Sequence, residues 1–198
     1  MSARAGLNVH PDRTSRQTWA TPRVLVEAID ALASPPAPVD LDVCAEAWSA
    51  KTTRYLGPGS ALGLDGLAAP WSEHSLSAAW CNPPFNAISP WVEKAITEHG
   101  RGVRVRLLVP PRTDCGWYHR LVEGEGEWAH RSVLGRRVAF EPPEGVVASS
   151  PPGPVELWTL APRRDLPRVI RWAAPKGVLR SPGRGALTSD NGAGIRKA

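Results

Sequence analysis

The sequence predicts an α/β protein, a mostly parallel sheet with helices on both faces. Three observations lead there: short apolar runs alternate with stretches of helical periodicity, the intervals have crossover length, and polar residues stand where the apolar runs stop. Strands covered on both sides read as near-continuous apolar runs, and alternation with helices makes their neighbours parallel. In open sheets of this kind ligands bind outside the carboxyl ends of the strands. The residues that follow each apolar run are therefore the first place to look for chemistry.

The elements follow in order. Residues 1–16 are polar and are expected to be disordered. Thr21 is a good N-cap and Pro22 suits a first helical position, followed by Val24, Leu25, Ala28, Ile29 and Leu32 at helical spacing. Residues 39–43 read as a strand that stops at Cys44-Ala45-Glu46, with Asp42 near its carboxyl end. A short strand is expected over 52–56, then a Gly- and Pro-rich stretch carrying Asp65 exposed in a loop. Residues 77–81 form a buried strand that runs into Asn82-Pro83-Pro84-Phe85.

Ser89 and Pro90 repeat the cap-plus-proline signal, Trp91/Ala95 and Val92/Ile96 lie four apart, and Gly100 and Gly102 close this helix. Residues 103–109 are a strong strand ending at Pro110-Pro111, and 113–122 a helix ending at Gly124. Shorter strands are expected over 128–134 and 137–140, a mobile loop over 141–154, and a last strand over 155–160. The folded domain is placed at 17–175, followed by a basic, disordered tail at 176–198.

Composition narrows the function. A chain of 198 residues suits one domain with flexible ends, and its net charge of +5 is compatible with a polyanionic partner without selecting one. No apolar run reaches the roughly 20 residues of a membrane-spanning helix, and the polar first residues lack the apolar core of a secretory signal. Cys44, Cys81 and Cys115 are scattered and never in a C-x-x-C pair, so a reduced, cytosolic protein without a disulfide framework or zinc site is expected. The five histidines are equally dispersed, which argues against metal catalysis.

The stretch richest in chemistry is Asn82-Pro83-Pro84-Phe85. Two prolines hold the loop extended and leave the carbonyls of Asn82 and Pro83 without local donors. A side-chain amide oxygen, a fixed carbonyl and an aromatic ring together suit a planar molecule gripped through an exocyclic amino group. The ordinary alternative is a strand-terminating turn in a chain with 21 prolines. Asp42 has a capping or turn reading beside its functional one, and Asp65-Gly66 is in any case a good turn. All three polar residues fall at or near strand ends, and that convergence favours a site.

Several separated motifs then resemble one family. Thr18-Trp19-Ala20-Thr21-Pro22, Leu41-Asp42-Val43-Cys44-Ala45, Trp71, Trp80 to Phe85, Trp91-Val92-x-Lys94-Ala95 and Gly135-Arg136-Arg137-Val138-Ala139-Phe140 occur in the order and spacing of the phage-type DNA N6-adenine methyltransferases. The resemblance covers residues 17–160. It implies the Rossmann-like methyltransferase fold, a seven-stranded sheet with one antiparallel strand near its edge, of which 155–160 would be a late strand. It also implies S-adenosylmethionine as cofactor, DNA as substrate and a bacterial host cytoplasm as setting.

By the same resemblance Asn82, Pro83, Pro84 and Phe85 are the catalytic loop. Trp19, Thr21, Pro22 and Asp42 are cofactor-side residues, joined by Cys44, Ala45 and Asp65. The glycine-rich G-x-G of many methyltransferases is replaced here by Cys44-Ala45-Glu46, and Phe85 stands where tyrosine is frequent. Arg112, Arg136 and Arg137 are the DNA-phosphate candidates, with a solvated strand edge as the equally ordinary reading. The 38 residues between Val43 and Asn82 leave no room for a separate recognition domain, so a short or relaxed target is expected. Rival readings are cytosine N4 methylation, methylation of a protein amide or an RNA base, and a DNA-binding protein without catalysis.

Overall fold

A computed structural model describes residues 19–33, 36–134, 137–146 and 153–166, and the backbone of 179–180. Three helices, α1 (Arg23–Leu32), α2 (Ile88–Gly100) and α3 (Gly116–Glu123), accompany seven strands: β1 (Val39–Asp42), β2 (Ala78–Cys81), β3 (Arg104–Val109), β4 (Ala129–Val133), β5 (Arg137–Val138), β6 (Glu156–Leu160) and β7 (Leu179–Arg180). Five of the strands form the main sheet, in the order β1-β2-β3-β6-β4. β1, β2 and β3 are mutually parallel, and β6 runs antiparallel to both β3 and β4. The expected single antiparallel strand near the edge is therefore β6. The main sheet has five strands among the described residues, not seven, because β5 and β7 pair only with each other.

Alternation along the strands sorts the core into two layers. Val105, Leu107, Val109, Trp158 and Leu160 meet Trp91, Val92, Ala95, Tyr118 and Leu121 of α2 and α3. On the opposite face Trp80, Leu108 and Leu157 pack with Leu25, Val26 and Ile29 of α1. A period of two in the strands and of 3.6 in the helices makes such a three-layer arrangement the economical way to bury both faces. Each of these large side chains contributes on the order of 1.5–3 kcal/mol of burial free energy.

Local chemistry refines several boundaries. Neither cap-plus-proline signal works as expected. α1 starts at Arg23 with Pro22 as its cap residue, α2 starts at Ile88 after Ala87, and neither helix has a side-chain cap bond. Thr21 is instead buried with its hydroxyl unpartnered. Gly102, at φ +95°, turns the chain out of α2 as anticipated. The expected strand at 52–56 is reduced to a single bridge between Tyr55 and Asp42, and that at 137–140 to two residues. The expected boundaries at 16 and 175, the tail after 180 and most of the 141–154 loop's second half lie outside the described residues.

β1 carries a bulge. Val39 aligns with Ala78 but Leu41 already aligns with Ala79, so Asp40 is the extra residue. Its carboxylate accepts the Ser75 hydroxyl (2.9 Å) and the backbone N–H groups of Leu76 (2.6 Å), Ser77 (3.2 Å) and Ala78 (3.1 Å). The chain entering β2 is thereby fastened to β1, which sets the strand ends where the site is built.

Candidate active site

A cleft of about 690 Å³, counting its open mouth, lies at the carboxyl ends of β1 and β2. Of the residues singled out from sequence, Trp19, Thr21, Asp42, Cys44, Ala45, Asp65, Asn82 and Pro84 line it. Pro22 and Pro83 are buried and Phe85 is half-buried, all three outside that lining. Phe85 meets Phe140 edge to face, ring centroids 6.1 Å apart at 85°. Ala20 and Glu141 exchange both backbone hydrogen bonds at 2.8 Å. Segments far apart in sequence, around residues 20, 82–85 and 140, thus meet beside one cleft.

Asp42 ends β1 at 2 % exposure. Its Oδ1 accepts from the Cys44 N–H at 3.3 Å and its Oδ2 from the Lys51 N–H at 3.1 Å. Burial pushes the carboxyl up to about 6, against the opposing pull of those two N–H groups and the Lys51 charge. Burial also raises the Cys44 thiol, with Asp42 and Asp65 adding to it, so Cys44 is a neutral wall residue and not a nucleophile. Asp65 is half-buried rather than exposed. Its Oδ1 accepts the Leu67 N–H at 2.8 Å, the local turn that Asp-Gly favours.

The wall carries polar atoms without a protein partner. Trp19 Nε1, Thr21 Oγ1, Asn82 Oδ1 and Trp91 Nε1 are all buried without a partner, and all four residues line the cleft. Unsatisfied buried groups each cost about 1–3 kcal/mol, and four of the nine such side-chain atoms among the described residues border this one cavity, where a ligand could satisfy them. The set holds donors, an acceptor and a hydroxyl able to do either, which fits a ligand rich in nitrogen and oxygen.

Sequence reasoning missed Ala20, Ser49, Lys51, Leu56, Gly57, Leu64, Gly66, Trp80 and Trp91 as cleft residues. Two of these explain the absent G-x-G. A Cβ on Gly57 would lie 1.9 Å from the Ala45 carbonyl oxygen, and one on Gly66 1.8 Å from that of Val43. Both glycines, themselves on the cleft wall, press on the turn after β1. The signal was present as isolated glycines in the 57–66 stretch, but it read only as loop.

Two of the three phosphate candidates are described, both at the surface. Arg112 is exposed and paired with Asp114 at 3.2 Å, Arg137 is exposed on β5, and Arg136 lies outside the described residues. Among the described residues no three His, Cys, Asp or Glu side chains gather as a metal site, and no helix is long and apolar enough to cross a membrane.

Parallel β1, β2 and β3, helices on both faces and a cleft at the strand ends make this a mixed α/β protein with a mostly parallel sheet, consistent with a Rossmann-like fold, and place its cleft where open sheets of this kind bind ligands. The sequence profile of the DNA N-6-adenine-methyltransferase (Dam) family matches residues 9–148, more than two thirds of the chain, and the chain belongs to that family. No curated protein and no solved structure matches the chain.

Proposed function

We propose that this protein transfers a methyl group from S-adenosylmethionine to the N6 amino group of adenine in DNA, with Asn82 holding the amine. The observation that carries the reading is the buried, unpartnered Asn82 Oδ1 at the end of β2, on the wall of the same cleft that Asp42 enters. The residues present fit the cofactor: a buried carboxylate for its ammonium, unpartnered Thr21 and Trp19 atoms for its polar edges, and aromatic walls for its adenine. Bound there, S-adenosylmethionine would supply an electrophilic methyl group, its sulfur–methyl bond breaking as the carbon–nitrogen bond forms so that S-adenosylhomocysteine leaves.

The N6 lone pair of adenine is delocalised into the ring, which makes the amine a poor nucleophile. Asn82 Oδ1 and the Pro83 carbonyl accept its two N–H bonds and favour a more pyramidal nitrogen, whose lone pair then turns toward the methyl donor. Neither group is a strong base. The amine becomes acidic only as the new bond forms, and its proton leaves afterwards to solvent. Phe85, braced by Phe140, supplies the ring against which the extruded base stacks. Asp42 and Thr21 hold the cofactor's amino-acid end, and Asp65 faces its adenosine portion. Arg112, Arg136 and Arg137 meet backbone phosphate, and short loops read a short or relaxed target.

Incubation with labelled S-adenosylmethionine and unmodified DNA, followed by nucleoside analysis, tests the proposal. N6-methyladenine is expected, and N4-methylcytosine would move the substrate to cytosine. Absence of label in DNA, together with no binding of the cofactor at saturation, would end the enzymatic reading. Methylation confined to one long, unique sequence would contradict the relaxed target.

A further inference from the structure

Lys51 is half-buried on the cleft wall. Its backbone N–H donates to Asp42 Oδ2 at 3.1 Å, which ties its position to the end of β1. Among the described residues no carboxylate reaches its ammonium closely enough for an ion pair. Asp42 and Glu141 attract it from a distance and Arg23 opposes it, while burial pulls its pKa down. A partly desolvated cation without a direct counter-ion is an unfavourable arrangement unless a ligand completes it.

The identity of that ligand follows from the surrounding charge. Two carboxylates act on this ammonium from a distance, so a purely anionic group such as a DNA phosphate would gain from Lys51 and lose to Asp42 and Glu141. A zwitterion avoids the conflict, because it offers a carboxylate to the lysine and an ammonium to the aspartate from a single carbon atom. Thr21, 1 % exposed with an unpartnered hydroxyl on the same wall, adds a neutral donor for the same carboxylate.

We infer that Lys51 anchors the α-carboxylate of the cofactor's amino-acid end while Asp42 takes its ammonium, an assignment that rests on S-adenosylmethionine being the cofactor. The amino-acid end then lies toward Asp42, Lys51 and Thr21. The adenosine end lies toward Asp65, Gly66 and Trp91, which line the same cleft.

Calorimetric binding of two ligands to the full chain tests this. S-adenosylhomocysteine carries the amino-acid end, and 5′-methylthioadenosine lacks it. Lys51→Met is expected to weaken S-adenosylhomocysteine by roughly tenfold to a hundredfold, the worth of a hydrogen bond to a charged group, and to leave 5′-methylthioadenosine within about twofold. Lys51→Arg, which keeps the charge, is expected to retain most of the affinity. Equal weakening of both ligands by Lys51→Met would make the residue a shaping element and overturn the assignment. So would unchanged S-adenosylhomocysteine affinity, or a loss confined to DNA binding. A wild-type protein that binds neither ligand would remove the cofactor reading, and this one with it.

Discussion

Asp40 and Asp42 stand two residues apart on β1, and their surroundings could hardly differ more. Asp40 sits at the bulge and accepts four hydrogen bonds, from the Ser75 hydroxyl and the N–H groups of residues 76–78. Asp42 is nearly inaccessible, accepts two, and has its carboxyl pushed up by burial. The first carboxylate is saturated by its own chain and holds the fold together. The second is left with fewer partners on the wall of a cleft, among polar atoms without a protein partner. The degree to which the protein itself satisfies a polar group separates scaffold from site here better than residue type does.

Four perturbations would break or sharpen that contrast, beginning with the largest. Asn82→Ala removes an under-served acceptor, and is expected to lower kcat by about 10²–10³-fold or more while leaving S-adenosylhomocysteine affinity within a few fold. Single-turnover methylation beside calorimetry would check it, and a matched loss of cofactor affinity would count against the assigned role. Gly66→Ala places a methyl group against the Val43 carbonyl and is expected to destabilise by about 3 kcal/mol or more, read from urea unfolding. Asp40→Ala strips the partner from three backbone N–H groups and a hydroxyl, and should destabilise by about 2–4 kcal/mol without changing cofactor affinity beyond what unfolding explains.

Asp42 completes the series through pH. Its folded carboxyl is raised to about 6 from an ordinary 3.8, so between those values the folded chain binds the proton more tightly than the unfolded chain. Stability of the free protein is therefore expected to fall as pH rises from 3.8 to about 6, by about 2–3 kcal/mol, and to level off above. Asp42→Asn should abolish that slope. Cofactor affinity runs the other way, since its ammonium needs the ionised carboxylate: affinity is expected to drop as pH falls below about 6. A wild-type affinity flat from pH 5 to 8 would detach Asp42 from the ammonium.

Most of the strands were legible, because a buried parallel strand is a short apolar run with polar punctuation, and 77–81, 103–109 and 155–160 have little else. The cleft was partly legible for the same reason: Asp42 and Asn82 stand where such runs stop. Thr21 lines the cleft but does not cap α1 as expected, since Thr-Pro signals a helix start and says nothing about where the hydroxyl points. Lys51 and Trp91 were missed because one lies in a loop without periodicity and the other on a helix face that looks like ordinary core. The bulge at Asp40 is a property of two paired strands, and one strand's sequence does not display it.

Gly57 and Gly66 change what a missing motif means. The turn after β1 lacks the glycines that a linear pattern search expects, yet two glycines sit across from it in space, delivered by a later loop. Smallness at this crossing of two backbones is a requirement of the pair, and either chain segment can meet it. A signature written as positions along one strand–turn will pass over proteins that meet the same demand from the facing side, whereas one written as two carbonyls with no side chain between them would find both.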